Sequence, residues 1–468
     1  MRPSERHVLS AIALAAAPLS LGGCPPAPAP ADAGRDAPAI DAWARTRLHD
    51  PLSMPAEPTL SPNDFESADT CEGCHAEHAA EWRTSMHAYA MVDPVFRALV
   101  RVRQTDFDGM QDAFCVQCHS AIGTRGGEIT PGFSFEGLSP IVQEGVTCQA
   151  CHQVTELARD HNSGHVIDPR SPMRATIADP VMSSRHGSAY SALHGTSEFC
   201  AGCHDVVEVS GLSLERPYEE WLSSPAAAEG RHCQSCHMPT TTRRAARTGP
   251  ERTVHSHRFV GVDLPLAEGF ATPEETEALR ADVRALLASA ADLRLRVAPS
   301  VRAGAQLDVV VDVENRIDAH ALPTGSTFIR QLWVELVVRD ADGAVVYETG
   351  TLDANGDLRD HWSALAPYGD PDLLSFASSL TNARGAPELF PWRATEHFRR
   401  TIQPGHTRTA TLFVPTTAAT PGPLTVEARL RFRSHPPYLL RALGLEALIP
   451  RVEIHDVDTA SVTVEVVP

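Results

Sequence analysis

Beyond residue 21 the chain contains no second long apolar run, so no later segment has the length and hydropathy of a membrane-spanning helix. Spare cysteine is missing too. Ten of the eleven cysteines fall in five identically spaced pairs and only Cys24 stands alone, which leaves no loose thiol in the folded part. Paired carboxylates, a Ser-His-Asp arrangement and a phosphate-cradling glycine loop leave no persuasive trace. From Phe65 to about Asp263 aliphatic periodicity and strand-like runs are scarce, so side chains alone provide little core there. A net charge of −19 argues against nucleic acid and anionic lipid surfaces as partners and favours basic ones.

What is present divides the chain. At 468 residues it is long enough for two or three domains. Arg2 and Arg6 precede an apolar run from Val8 to Leu21, the layout of an export signal over residues 1–23. Leu21, Gly22, Gly23 and Cys24 resemble the lipobox of bacterial lipoproteins. That resemblance implies lipidation of Cys24 and anchoring in the periplasm or at the outer membrane. Residues 24–62, rich in Pro, Ala and Asp, read as a flexible tether. Residues 266–290 hold a connecting helix, in which Glu274 and Glu275 make an acidic first turn ahead of Leu279, Val283, Leu286 and Leu287.

From residue 291 the apolar period changes to two. Leu293–Val297, Leu307–Val313, Leu332–Val338, Val345–Glu348, Thr409–Val414, Leu424–Phe432 and Val462–Val467 read as strands between Gly, Asp and Pro. Seven such runs without helices predict an all-β sandwich of immunoglobulin type over 291–468. The stretch from Asp360 to Phe398 is too long for a hairpin turn and reads as an interface or functional loop. Asp353, Asn355 and Asp357 copy the first ligand positions of a calcium loop, although Leu358 stands where that loop needs Gly.

The cysteine pairs carry the chemistry. Each has two residues between its cysteines and a histidine immediately after: Cys71, Cys74 and His75; Cys115, Cys118 and His119; Cys148, Cys151 and His152; Cys200, Cys203 and His204; Cys233, Cys236 and His237. Two thiols at this spacing reach the two vinyl groups of one haem, and the next residue then lies beneath the iron as an axial ligand. Zinc ribbons need pairs of pairs and no histidine at that position; five is odd. The expectation is five covalent haems in residues 63–265, a mostly helical and irregular domain whose core is the haems themselves.

Function then turns on the opposite face of each iron. A second histidine there makes an electron carrier, and an empty face makes a reactive centre. The candidates outside the motifs are His87, His165, His186, His194, His257 and His320. His87 is expected on a helix continuing from the first motif, far enough along to serve a neighbouring haem. No motif has Lys in place of the proximal histidine.

The run Cys71-Glu-Gly-Cys-His75, His78, Trp82, Ser85 and His87-Ala88 resembles the opening of multihaem cytochromes related to the tetrahaem electron acceptor of hydroxylamine oxidoreductase. Gly145-Val-Thr-Cys-Gln-Ala-Cys-His152, Glu198-Phe-Cys-Ala-Gly-Cys-His-Asp205, Tyr218-Glu-Glu-Trp221 and Cys233-Gln-Ser-Cys-His-Met-Pro239, with His257 and Phe259 after it, are similar to recurring segments of that family. The resemblance implies closely packed, mostly bis-histidine haems. Val313-Glu-Asn-Arg-Ile-Asp-Ala-His-Ala-Leu-Pro-Thr-Gly325 is similar to segments that follow haem domains in exported cytochromes, with Ala319 where Gly is usual. The expected function is electron transfer between redox proteins outside the cytoplasm. The alternative is a multihaem reductase or oxidase of a small nitrogen or sulfur compound at one open iron.

Overall fold

The computed structural model describes residues 58–468. The export signal, Cys24 and nearly all of the tether lie outside the described residues. Among the described residues no helix is long and apolar enough to cross a membrane.

The first half consists of short helices joined by long connections. Ser67 caps the helix Ala68–Arg83 by accepting from the Asp69 amide at 3.2 Å. The helix is interrupted at His75, whose φ of −110° and ψ of 45° are not helical. It does not continue to His87. The chain turns at Thr84, and Ser85 caps a separate turn, Met86–Tyr89, that carries His87. A Ser at an N-cap offers the backbone a better partner than the helix interior does, which explains the break.

The helices Pro94–Phe107, Asp112–His119 and Ala121–Arg125 enclose a compact side-chain core of Phe96, Val100, Val116, Ile122, Phe133, Phe135 and Val142. This is more core than the sparse periodicity suggests, because aromatics drawn from loops complete it. Onward to residue 265 the chain wraps a cavity through short helices at the motifs and two-stranded ribbons such as Thr240–Arg244 with Glu251–His255.

The connecting helix spans Pro273–Ala288 and opens with a reciprocal capping box between Thr272 and Glu275. The β-domain follows: β1 (Ala291–Val297), β2 (Ser300–Arg302), β3 (Leu307–Asn315), β4 (Gln331–Arg339), β5 (Val345–Thr349), β6 (Thr407–Val414), β7 (Leu424–Arg433) and β8 (Ile454–Val467). One sheet has the order β2-β8-β7-β4-β5 and a second β6-β3-β1, while Ser379–Thr381, Pro387–Glu388 and Glu396–Phe398 form a small third sheet. Alternate residues of β3, namely Leu307, Val309, Val311 and Val313, are buried. They meet Leu332, Val334, Leu336, Val426 and Leu430 in one core between the sheets. Every strand expected from the alternation forms. β8 is more than twice its expected length, and β2 pairs with it in parallel.

The calcium-like loop is closed by protein donors. Asp353 accepts from the amides of Asn355 and Asp357 at 2.8 and 3.0 Å and from the Ser363 hydroxyl at 2.6 Å, while Asp357 pairs with Arg441. Carboxylates occupied in this way form a hydrogen-bonded turn, not a calcium site.

The long segment from Asp360 to Phe398 docks the β-domain on the helical half. Trp392 and Arg393 reach Asp106, Arg393 with two bonds of 2.7 Å, and His397 and Arg399 meet the Ser213 carbonyl. At a second point of the interface Arg330 contacts Asp263 at 2.7 Å, and both are half-buried.

Candidate functional site

All five cysteine pairs and their histidines line one continuous cavity of about 2160 Å³, more than twice the span of an ordinary small-ligand pocket. The same cavity is lined by His87, His165, His186, His194, His257 and His320.

Four of the five motif histidines are held in one manner. The Nδ1–H of His75 donates to the Ala245 carbonyl at 2.7 Å, that of His119 to Ala90 at 3.1 Å, that of His152 to Arg174 at 2.6 Å and that of His237 to Val260 at 2.9 Å. A carbonyl on Nδ1 fixes the tautomer and the ring plane and leaves Nε2 as the free donor for a metal. Burial also holds His119, His152 and His237 below the usual imidazole range, so the neutral, ligating form prevails at pH 7.

An iron between two imidazoles, with metal–nitrogen bonds of about 2 Å on either side, sets the ring centres about 6 Å apart. Four motif histidines face another histidine at that spacing. His75 lies 6.2 Å from His186, His204 lies 6.2 Å from His87, and His237 lies 6.4 Å from His320. His152 has two neighbours, His194 at 6.1 Å and His257 at 6.0 Å. Hydrogen bonding separates these two. His194 bonds Ser191 through Nδ1 and the Cys151 carbonyl through Nε2, whereas His257 engages only Nδ1, with the His255 carbonyl, among the described residues. His257 is therefore the freer ligand. Burial depresses His87 and His320 to about 4, so these imidazoles are neutral as well.

His165 is not brought opposite any motif imidazole. Its Nε2 meets the Phe199 carbonyl at 2.8 Å and its Nδ1 lies 3.6 Å from Cys203 Sγ. Its ring packs so closely on Gly202 that a Cβ there would stand 2.4 Å from it, which accounts for Gly in Cys200-Ala-Gly-Cys203.

His119 differs from the other four. The ring stacked on it is Phe96, at 3.7 Å and 2° between planes, and no described histidine takes the place opposite. Around the neighbouring Cys115 lie Arg103, Glu208, Asp112 and Glu215. Sequence reading did not single out Phe96, because nothing distinguishes one aromatic on an amphipathic helix from the core residues beside it.

His320 comes from the loop between β3 and β4. The Asn315 amide donates to the carbonyls of His320 at 3.1 Å and Ile402 at 2.9 Å and so pins the loop from within. From the helical half, Glu220 accepts from the Ala321 amide at 3.2 Å and from the Thr324 hydroxyl at 2.5 Å. Neither Asn315 nor Glu220 was singled out from sequence, although both lie in the quoted segments.

Thiols of different motifs also meet. Cys71 is within hydrogen-bonding reach of Cys148, Cys118 of Cys203, and Cys200 of Cys233. Groups attached at the first and third, second and fourth, and fourth and fifth motifs are therefore neighbours.

A titrating group sits at the domain interface. Burial alone would raise Asp263, yet the Arg330 guanidinium outweighs it and leaves its pKa lowered. At Asp93 burial wins: it pushes the carboxyl up to about 6, against the opposing Val95 amide bond and the weaker pull of Arg330, and with help from the Asp263 charge. A carboxyl raised in this way favours folding below about pH 4, and that contribution, about 3 kcal/mol, is lost as pH rises through about 6. Asp93→Asn, which keeps the N-cap bond, is expected to match the parent at pH 4 and exceed its stability by up to that amount at pH 7. Chemical denaturation at the two pH values measures it.

Paired histidines, each pair flanked by a vicinal cysteine couple, are what a multihaem c-type cytochrome requires, and the residues present fit haem c. Residues 70–153, which hold the first three motifs, match the family described as cytochrome c554 and c-prime. The fold is similar to a solved penta-heme cytochrome c552 from Thermochromatium tepidum. That match has 20% identity and a TM-score of 0.61, and covers 86% of this chain and 100% of the other. No curated protein matches the chain.

Proposed function

We propose that this chain is an exported pentahaem c-type cytochrome, lipid-anchored through Cys24, that moves electrons between redox partners outside the cytoplasm. The observation that carries the reading is the pairing of four motif histidines with a second imidazole at 6.0–6.4 Å. Two strong-field nitrogens make a low-spin iron that changes oxidation state with little rearrangement, the property a relay needs. The thiol contacts support two groups of neighbouring sites, the first with the third and the second and fifth with the fourth, and all five line the same cavity. His320 would complete the fifth site from the β-domain, so the domains are held together by a ligand as well as by ion pairs.

Electron paramagnetic resonance of the oxidised holoprotein tests this. Four low-spin centres and one high-spin centre are expected. Three or fewer low-spin centres would remove the basis of the relay.

A second reading is favoured by Phe96. If a small nitrogen or sulfur compound reaches the face opposite His119, that centre is a reductase or oxidase site, with Arg103 and Glu208 close enough to steer charge. Cyanide binding at a single high-spin centre with turnover of such a compound would support it; a high-spin centre inert to cyanide would oppose it.

A further inference from the structure

The chain is acidic, but its charge is not evenly spread. All 40 of its lysine-plus-arginine residues are arginines, and several converge on one place. Two segments enclose the His75–His186 pair: residues 169–190, which carry His186, and the turn 240–252, whose Ala245 carbonyl holds His75 and whose Arg247 amide donates to the Cys74 carbonyl at 2.8 Å. Arg252 clasps them together through Asp179 at 2.7 Å. These segments hold seven arginines (170, 174, 185, 243, 244, 247 and 252) against two carboxylates, Asp179 and Glu251.

Carboxylates neutralise part of this surface: Arg170 pairs with Asp168, Arg243 with Glu77 and Glu81, and Arg252 with Asp179, whereas Asp69 and Glu72 of the adjoining helix are bound by Arg83. Arg185, Arg244 and Arg247 are exposed and form no ion pair with a described residue. On the same segment as Arg185, Val181 and Met182 are 58% and 75% exposed. His186 itself lies on this loop, its Nδ1 satisfied only by its own neighbourhood, the Gly187 carbonyl at 3.0 Å and Ser188 at 3.4 Å. A histidine pair so near the surface, on segments that carry exposed arginines without a described ion-pair partner and two exposed apolar side chains, has the composition of a transient docking patch.

We propose that the His75–His186 face is the docking port for an acidic redox protein. The inference rests on the electron-transfer reading above. In the exchange one electron leaves the partner's reduced centre and the ferric iron held by His75 becomes ferrous, with no bond made or broken and no proton moved. An anionic lipid surface is the less favoured occupant, because the −19 charge of the whole chain opposes approach to an extended negative plane, whereas a small partner meets only the local field.

The experiment uses the holoprotein and a reduced plant-type [2Fe–2S] ferredoxin as an acidic probe, with haem reduction followed by stopped flow against ionic strength. The triple variant Arg185→Glu, Arg244→Glu and Arg247→Glu is expected to slow the second-order rate by about tenfold or more at low salt, with the difference closing at high salt. A triple reversal on the β-domain, Arg302→Glu, Arg384→Glu and Arg408→Glu, changes net charge equally at exposed sites and is expected to leave the rate within about twofold. Equal slowing by both triples, or none by the first, would overturn the port. So would arginine-dependent co-sedimentation with phosphatidylserine vesicles in the absence of a rate effect. Dithionite should reduce every haem in all variants; failure there would strike the electron-transfer reading itself and not the port.

Discussion

Replacing His320 by Gly is expected to convert the fifth centre from low-spin to high-spin while the other low-spin signals persist. The His237 and His320 rings face each other at 6.4 Å, and both Nδ1 atoms are held by carbonyls, Val260 and Ala321, so both Nε2 atoms are directed at the space between them. Removing one imidazole leaves a five-coordinate iron. Added imidazole should restore the low-spin signal, because Asn315 and Glu220 hold the loop by its backbone and leave the gap open. A spectrum unchanged by the substitution would mean that another group serves the fifth motif and that the β-domain docks without ligating. An Ala substitution at Glu220 should act more weakly through the same loop, since it removes the two bonds that hold Ala321 and Thr324.

The second large effect is expected at Glu208. Its carboxylate meets the Arg103 guanidinium at 2.6 and 2.9 Å, and both side chains are 3% exposed or less. Arg103 also donates to Gln111 at 2.6 Å and lies over the ring of Phe114 at 4.6 Å and that of Trp392 at 5.4 Å. Glu208→Ala strands a buried cation, which costs about 3–5 kcal/mol and lowers the thermal midpoint by roughly 6 to 20 °C for a unit of this size. Replacing both partners, with Arg103→Met and Glu208→Leu, should recover most of that loss, because two matched apolar groups carry no desolvation penalty. Scanning calorimetry of the single and double variants separates the outcomes. A single variant within 1 °C of the parent would mean that water reaches Arg103. Because Trp392 belongs to the β-domain, the single variant should also loosen that domain's grip at Asp106.

The two substitutions illustrate what could be read in the chain before its fold was seen. The β-domain was legible strand by strand, since burial of one sheet face imposes the period of two seen in Leu307, Val309, Val311 and Val313. The connecting helix was legible from Thr272, Pro273 and Glu275, whose capping bonds are local. Local sequence is misleading where local rules compete. The helix after the first motif ends before His87 because Ser85 prefers to cap a new turn. His165, in a turn that looked free to ligate, instead packs on Gly202 with both nitrogens engaged.

By itself the sequence determined where each haem is expected to attach, because thiol, thiol and imidazole stand within five consecutive residues and need no fold to bring them near. Only the tertiary structure decided what stands opposite each of those histidines: His186, His87, His257 or His194, His320, and for His119 a phenyl ring. Those partners come from distant loops and from a second domain. Facing depends on how loops are pinned, by Asn315, Glu220 or the Gly187 carbonyl, and a histidine's own sequence neighbourhood carries no record of which face it will meet.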